Sequence, residues 1–240
     1  MTDKTDHSKL YNAICESFRC CGRFPFHFAR GKLKHDPVVI DLLTRQTLAR
    51  ADGAPLRLVD LGCGQGLLLA ALDAYSAEAA CATAPVVQAL GIDAMPANVR
   101  WGQAMLAARR QPQFPATILQ GDIRHCDIPP CNLVLLIDVL HYLNPTEQEQ
   151  VVARIHAALE PGGHLILRVG DTANAHQSRI SRGADRLVVW LRGQGWRPVW
   201  QRPLSGWQSL LQAHGFSVQI LRPHHSKAVV NVLMCCAKLI

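Results

Sequence analysis

A chain of 240 residues, 49% hydrophobic and 18% charged, carries enough apolar mass for one packed domain with an added cap, and too little charge for a disordered polymer. The net charge of +7 is concentrated late: after Asp171, nine arginines and lysines face a single acid, Asp185, so that stretch favours anionic partners. No apolar run reaches the roughly 18 residues of a transmembrane segment, the polar start MTDKTDHSKL reads as neither export signal nor organelle address, and nine cysteines, an odd number, fit a reducing cytoplasmic setting.

From about residue 37 onward, strand-like and helix-like runs alternate, the pattern of an α/β fold with a mostly parallel sheet. Residues 1–36, with the aromatic cluster Phe24, Phe26 and Phe28, stand outside that alternation and are expected to cap the domain formed by 37–240. Asp36-Pro37 opens a helix, VVIDLLTRQTLARAD, with Val38, Leu42, Leu43 and Leu48 on one side. LRLVDL, at 56–61, is the first strand, followed by a glycine-rich turn and the helix LLLAALDAY. VVQALGID is the second strand and ends near Asp93; a helix runs from about Pro96 to Arg110. ATILQ is the third strand, before Gly121-Asp122, and NLVLLID, at 132–138, the fourth. Thr146 and Glu149 predict a capping box for a helix containing Val151, Val152, Ile155 and Leu159, broken by Pro161-Gly162-Gly163 ahead of the fifth strand, HLILRV. A helix from Trp207 to His214, ended by Gly215, and the strands FSVQIL and VVNVLMCCA complete the chain. Residues 172–204 are too long for an ordinary connection and leave the fifth strand on the face where parallel sheets receive ligands, so they are expected to form a lid.

The strongest chemical signal is LVDLGCGQG, residues 58–66. An apolar strand ends in Asp60, and Gly62, Gly64 and Gly66 turn into a helix whose N-terminus favours a negative group. Asp93 falls at the tip of the second strand, where a carboxylate can accept both hydroxyls of a ribose. Asp122 follows the third strand and can accept an adenine amino group, and Asp138 ends the fourth. A nicotinamide site would show G-x-G-x-x-G, whereas here the glycines run G-x-G-x-G, and a Tyr-x-x-x-Lys pair for hydride chemistry is absent.

These segments resemble the motifs of class I S-adenosylmethionine-dependent methyltransferases. LVDLGCGQG is similar to their first motif, GIDAMPANV to the second, GDIRHCDIP to the adenine-binding segment, NLVLLIDVLHYL to the fourth-strand motif and LEPGGHLILRV to the fifth-strand segment. The resemblance implies a Rossmann-like seven-stranded sheet with the last strand antiparallel and helices on both faces. It implies S-adenosylmethionine as cofactor, with Gly62, Cys63 and Gly64 along its methionine portion and Asp60 near its ammonium through water. Asp93 would take the ribose, Ala94 and Met95 would lie beside the adenine, and Asp122 and Ile123 would take the adenine edge. Arg30 or Lys32 of the N-terminal cap is placed near the cofactor carboxylate.

Methyl transfer needs alignment, dehydration and in some cases a base. His141, three residues after Asp138, is the best base; Tyr142 and Asp171 are weaker, and His125, His164 and His214 read as structural or solvent-facing. The adjacent cysteines at 20–21 and 235–236 lack the C-x-x-C spacing of zinc sites, and no metal is called for. IDVLHYL is not the N/D-P-P-Y type that methylates nucleobase amines. In RISRGADRLVVWLR, residues 179–192, Arg179, Arg182 and Arg186 share one helical face, and Trp190, Trp196, Trp200 and Trp207 cluster nearby and can line an aromatic pocket. GRFPFHFARGKLKHDPVV and DRLVVWLRGQGWRPVWQRPLSGW are similar to small methyltransferases of bacterial aryl-polyene pigment pathways. That second resemblance implies O- or C-methylation of a small aromatic or acyl-carrier-bound substrate, with an acidic acyl carrier protein as partner. An RNA methyltransferase, drawn from the basic tail, and a non-catalytic S-adenosylmethionine-binding module remain as alternatives.

Overall fold

Seven apolar runs become strands in the computed structural model, which describes residues 7–44, 56–78, 87–110, 112–170, 199–221 and 231–239. They are β1 (Leu56–Leu61), β2 (Val87–Asp93), β3 (Ala116–Gln120), β4 (Cys131–Ile137), β5 (Leu159–Gly170), β6 (Phe216–Leu221) and β7 (Asn231–Lys238). The strand order is β3-β2-β1-β4-β5-β7-β6, and β7 runs antiparallel to both of its neighbours. This is the Rossmann-like order that the motifs imply. Among the described residues no helix is long and apolar enough to cross a membrane.

The chain divides into two compact units, Met1–Ile123 and Arg124–Ile240. In the first, β1 pairs in parallel with β2, Asp60 opposite Gly91, and β2 with β3, Asp93 opposite Gln120. Every β1 residue except Arg57 is buried, as expected of a strand covered on both faces. The helices are α1 (Ser8–Glu16), α2 (Arg23–His35), α3 (Val38–Thr44), α4 (Leu67–Glu78) and α5 (Pro96–Ala107). The helix α5 stops three residues short of the predicted Arg110. The N-terminal segment is helical: Pro25, Ala29 and Leu33 of α2 recur at the spacing of one helix face and are buried. Asp36 starts α3 by accepting a hydrogen bond from the Val38 N–H at 3.1 Å. Residues 45–52, the rest of that predicted helix, lie outside the described residues.

In the second unit β4 and β5 are parallel, and β5-β7-β6 forms an antiparallel ribbon. Its helices are α6 (Pro145–Ala158) and α7 (Leu204–Ala213). The predicted capping box at Thr146 and Glu149 is corrected. The box is Asn144 with Glu147, each side chain bonded to the other's backbone N–H, because Pro145 fits the first helical position and makes Asn144 the cap. The helix ends before the Pro-Gly-Gly: Leu159 is already extended and opens β5 opposite Cys131, since the chain approaching Pro161 is pushed out of helical geometry. The last helix begins at Leu204, three residues earlier than predicted, behind Pro203. Residues 172–198 of the predicted lid lie outside the described residues.

Candidate functional site

The glycine turn between β1 and α4 is held open by its own backbone. Gly62, Gly64 and Gly66 have φ of 75°, 58° and 82°. The N–H groups of Gly62 and Cys63 both donate to the Ile92 carbonyl, at 2.7 and 3.1 Å, fastening the turn to β2. A Cβ on Gly64 would meet nothing within 4 Å, so this side of the turn is open. A Cβ on Gly66 would lie 2.8 Å from Ile118 Cδ1 and 3.1 Å from Met105 Cε. Gly66→Ala should therefore cost about 2–3 kcal/mol, combining the left-handed backbone with overpacking; the shift in the urea midpoint measures it.

Asp93 organises the other wall. Its Oδ2 accepts from the Gly64 N–H at 2.9 Å, and its Oδ1 from the Met95 N–H at 2.9 Å and Asn98 Nδ2 at 3.0 Å. Its carbonyl accepts from the Gly121 N–H at 3.1 Å, which brings the turn carrying Asp122 and buried Ile123 beside it. Ala94 is exposed, and Met95 caps α5. All nine residues predicted to bind the cofactor therefore belong to the first unit.

Asp60 is 2% exposed, and its Oδ2 has no hydrogen-bond partner. Burial, reinforced by the Asp93 charge, pushes its carboxyl up to about 7. Cys63 is buried too, and burial raises its thiol well above the ordinary range, which fits a space-filling role and not a nucleophile.

In the second unit the chain turns sharply after β4. Asp138 adopts a φ of 59°, the one non-glycine residue in the left-handed region among those described. Its carboxylate receives Arg168 in two contacts, Nε at 2.7 Å to Oδ1 and Nη2 to Oδ2, and Asn231 Nδ2 at 3.3 Å. The single turn Leu140–Tyr142 follows, with His141 buried and its ring centroid 4.0 Å from that of Tyr142. Gln148 of α6, 0% exposed, clamps this turn: Nε2 donates to the carbonyls of Leu140 at 3.1 Å, Leu143 at 2.9 Å and Trp200 at 3.3 Å. Its Oε1 accepts from Arg202 Nε at 2.8 Å, and the Trp200 N–H donates to the His141 carbonyl at 2.8 Å. Trp200 is 42% exposed, whereas Trp207 is core; Trp190, Trp196, Arg179, Arg182, Arg186 and Asp171 lie outside the described residues.

Residues 32–221 match the family described as "Methyltransferase domain". The chain belongs to that family. Among curated relatives, carboxy-S-adenosyl-L-methionine synthases of a Geobacter species and of Chromohalobacter salexigens are 32% identical over 108 residues and 34% over 114. Each match covers 45% of this chain but only 42% and 37% of those proteins, so the chain spans well under half of either. Human N-acetylserotonin methyltransferase, solved with S-adenosylmethionine, shares the fold at TM-score 0.60 and 15% identity, covering 100% of this chain and 61% of the other. Synechocystis magnesium protoporphyrin IX methyltransferase, solved with S-adenosylhomocysteine, does so at 0.59 and 17%, over 98% and 100%.

S-adenosylmethionine is the cofactor of this methyltransferase family, and the residues of the first unit fit it. The open side of Gly64 leaves room for the methionine portion, and the bare Oδ2 of Asp60 suits its ammonium. The Asp93 carboxylate keeps lone pairs for a ribose. The predicted role of Lys32 meets a competitor, since Lys32 pairs with Asp36 at 2.6 Å; Arg30 is exposed.

We propose that Asp60 receives the cofactor ammonium, which makes cofactor affinity depend on pH. Its raised pKa means that the free protein holds a proton there up to about pH 7, so stability conferred by the protonated form is lost as pH rises from the ordinary carboxylate range toward 7. An incoming ammonium favours the ionised form, so binding below pH 7 must expel that proton. Affinity should rise by up to about tenfold per pH unit below 7 and level off until the cofactor amine titrates near pH 8. Calorimetry across pH tests this. Methylthioadenosine, which lacks the amino acid, should bind with a flat profile, and a slope that persists in Asp60→Asn would count against the assignment.

Periodicity and motif spacing did not reveal Asn98, Arg168, Asn231 or Gln148. Asn98 bonds Asp93, Arg168 and Asn231 bond Asp138, and Gln148 bonds the carbonyls that flank His141, all by side-chain bonds that leave no local pattern; an arginine inside the apolar run HLILRV was the one visible anomaly.

Proposed function

We propose that this methyltransferase moves the methyl group of S-adenosylmethionine to an oxygen or carbon of a small aromatic acceptor, free or attached to an acyl carrier protein, in the cytoplasm. The cofactor supplies an electrophilic methyl on a sulfonium; alignment and proton removal fall to the chain. The observation that carries this reading is the clamped His141 turn. His141 follows the carboxyl end of β4, the end at which α/β sheets receive ligands, and its backbone is fixed by the Trp200 N–H and by Gln148 on either side. A neutral imidazole there takes the acceptor proton as the new bond forms. Exposed Trp200, joined to His141 through the backbone, offers an aromatic face to a flat acceptor.

The N-terminal helices act as the cap in this scheme. The buried Gln65 of the glycine turn donates to the Pro25 carbonyl at 2.9 Å, so the start of α2 is anchored on the cofactor loop. Residues 172–204 serve as the acceptor-side lid, and their end is fixed by Arg202, which reaches Gln148, the Pro145 carbonyl and Glu149.

A second reading follows from the relatives named carboxy-S-adenosyl-L-methionine synthase, in which the cofactor itself is altered. One experiment separates the two. Methyl-labelled cofactor is incubated with a phenolic panel, free and carrier-bound, and in parallel with a panel of small carboxylic acids as carboxyl donors, and both nucleoside and acceptor are weighed by mass spectrometry. We expect S-adenosylhomocysteine with label on an aromatic acceptor. A heavier, carboxylated nucleoside and no labelled acceptor would establish the second reading instead.

A further inference from the structure

The dipeptide Cys-Cys occurs twice, at 20–21 and 235–236, and the backbone decides what each pair can do. In β7 successive side chains point to opposite faces, and Cys236 is fully buried while Cys235 is partly exposed. Those two sulfurs cannot share a ligand. Cys20 and Cys21 end the single 3₁₀ turn Arg19–Cys21, where their sulfurs come to 3.5 Å. Cys20 is exposed, 3.5 Å from the Ser17 carbonyl and 3.8 Å from that of Ala104; the Cys21 S–H donates to the Trp101 carbonyl at 3.1 Å.

Among the described residues no group of three or more His, Cys, Asp or Glu could hold a metal ion, so the described donors at this place are two sulfurs. Divalent zinc asks for four ligands. A soft, pyramidal trivalent centre takes two adjacent sulfurs and keeps its third substituent. We propose that Cys20 and Cys21 form a chelating dithiol site for trivalent arsenicals, arsenite or an aryl-arsenic(III) oxide. The reaction balances without a redox partner. Both S–H bonds break and two arsenic–sulfur bonds form; from the aryl oxide the arsenic–oxygen double bond breaks and the two protons leave with its oxygen as one water, from arsenite two As–OH bonds break and two waters leave, and arsenic stays trivalent in both. Burial and the neighbouring Cys20 push the Cys21 thiol up to about 12, so Cys21 stays protonated and slow toward reagents that need a thiolate, whereas chelation supplies its own exit for the proton.

The site is wired to the cofactor loop. Gly22, with φ of 102°, follows directly, and three residues later the Pro25 carbonyl holds Gln65 of the glycine turn. On the other side the thiols rest against α5, whose Asn98 holds Asp93. Pulling both sulfurs onto one arsenic takes Cys21 off Trp101 and strains the entry to α2. Occupancy therefore weakens cofactor binding, a consequence that rests on the cofactor assignment above.

The test uses the full chain and phenylarsine oxide. Intact-mass analysis should show one arsenical per protein that survives excess glutathione and is removed by dimercaptopropanol. Cys20→Ser and Cys21→Ser should each lose the glutathione-resistant adduct, while Cys235→Ser and Cys236→Ser keep it. Affinity for S-adenosylhomocysteine should fall at least threefold in the adduct and return with dimercaptopropanol. A resistant adduct in either Cys20→Ser or Cys21→Ser, or none in the wild type, overturns the site. Unchanged affinity in the adduct overturns the coupling alone. Failure of the untreated protein to bind S-adenosylhomocysteine would instead sink the cofactor assignment.

Discussion

His141→Gln should lower kcat for a phenolic acceptor by about 10²–10⁴-fold, the usual worth of a positioned general base, with cofactor affinity unchanged. A protonated hydroxyl is a weak nucleophile, and its proton must leave as the carbon–oxygen bond forms. His141 is buried, and its turn is held by the Trp200 N–H at 2.8 Å and by two Gln148 bonds at 3.1 and 2.9 Å, so the ring hangs from a fixed backbone. Glutamine fills much of the same space but cannot take a proton, which separates base catalysis from packing. Single-turnover rates across pH give the check: the acid limb imposed by the imidazole should vanish in the variant. A fall of less than tenfold would mean that alignment alone carries the chemistry and that the histidine only packs.

Asp93→Ala should weaken S-adenosylmethionine binding by about 2–3 kcal/mol, or roughly 30–150-fold. Part of that loss is the proposed ribose contact. Part is architectural, because the same carboxylate ties the Gly64 N–H, the Met95 N–H and Asn98 into one wall. Asp93→Asn divides the two, since an amide oxygen can keep one backbone bond while the charge is lost. Removing that charge also takes away the smaller of the two causes that raise Asp60. The pH at which cofactor affinity levels off should therefore move down, though burial keeps it above the ordinary carboxylate range. Calorimetric affinity within threefold of wild type in a folded Asp93→Ala protein would remove Asp93 from the ribose.

The strand-turn-helix from Leu56 to Glu78, and the acids at the tips of β1 and β2, were readable in the sequence because their signals are local. A strand shows as a short apolar run, a ligand-facing turn as glycines where side chains would intrude, and a strand tip as the first acid after the run. The same locality misplaced the cap of α6: Thr146 and Glu149 have the right spacing, but Pro145 at the first helical position makes Asn144 the cap.

Sequence alone thus determined the α/β class, the glycine turn between β1 and α4 and the order of the strand-end acids, because each depends on neighbours within a few positions. Tertiary structure decided the rest. Gln148 looks like any polar residue of α6 until the chain returns 52 positions later with Trp200 and closes the clamp around His141. Asp138 reads as a turn residue until Arg168 and Asn231 arrive from β5 and β7 to hold it in a left-handed backbone. The two Cys-Cys dipeptides are identical as text, yet one lies in a strand with its sulfurs on opposite faces and the other in a tight turn with its sulfurs in contact. Backbone geometry and long-range hydrogen bonds are properties of the folded chain, and no local spacing encodes them.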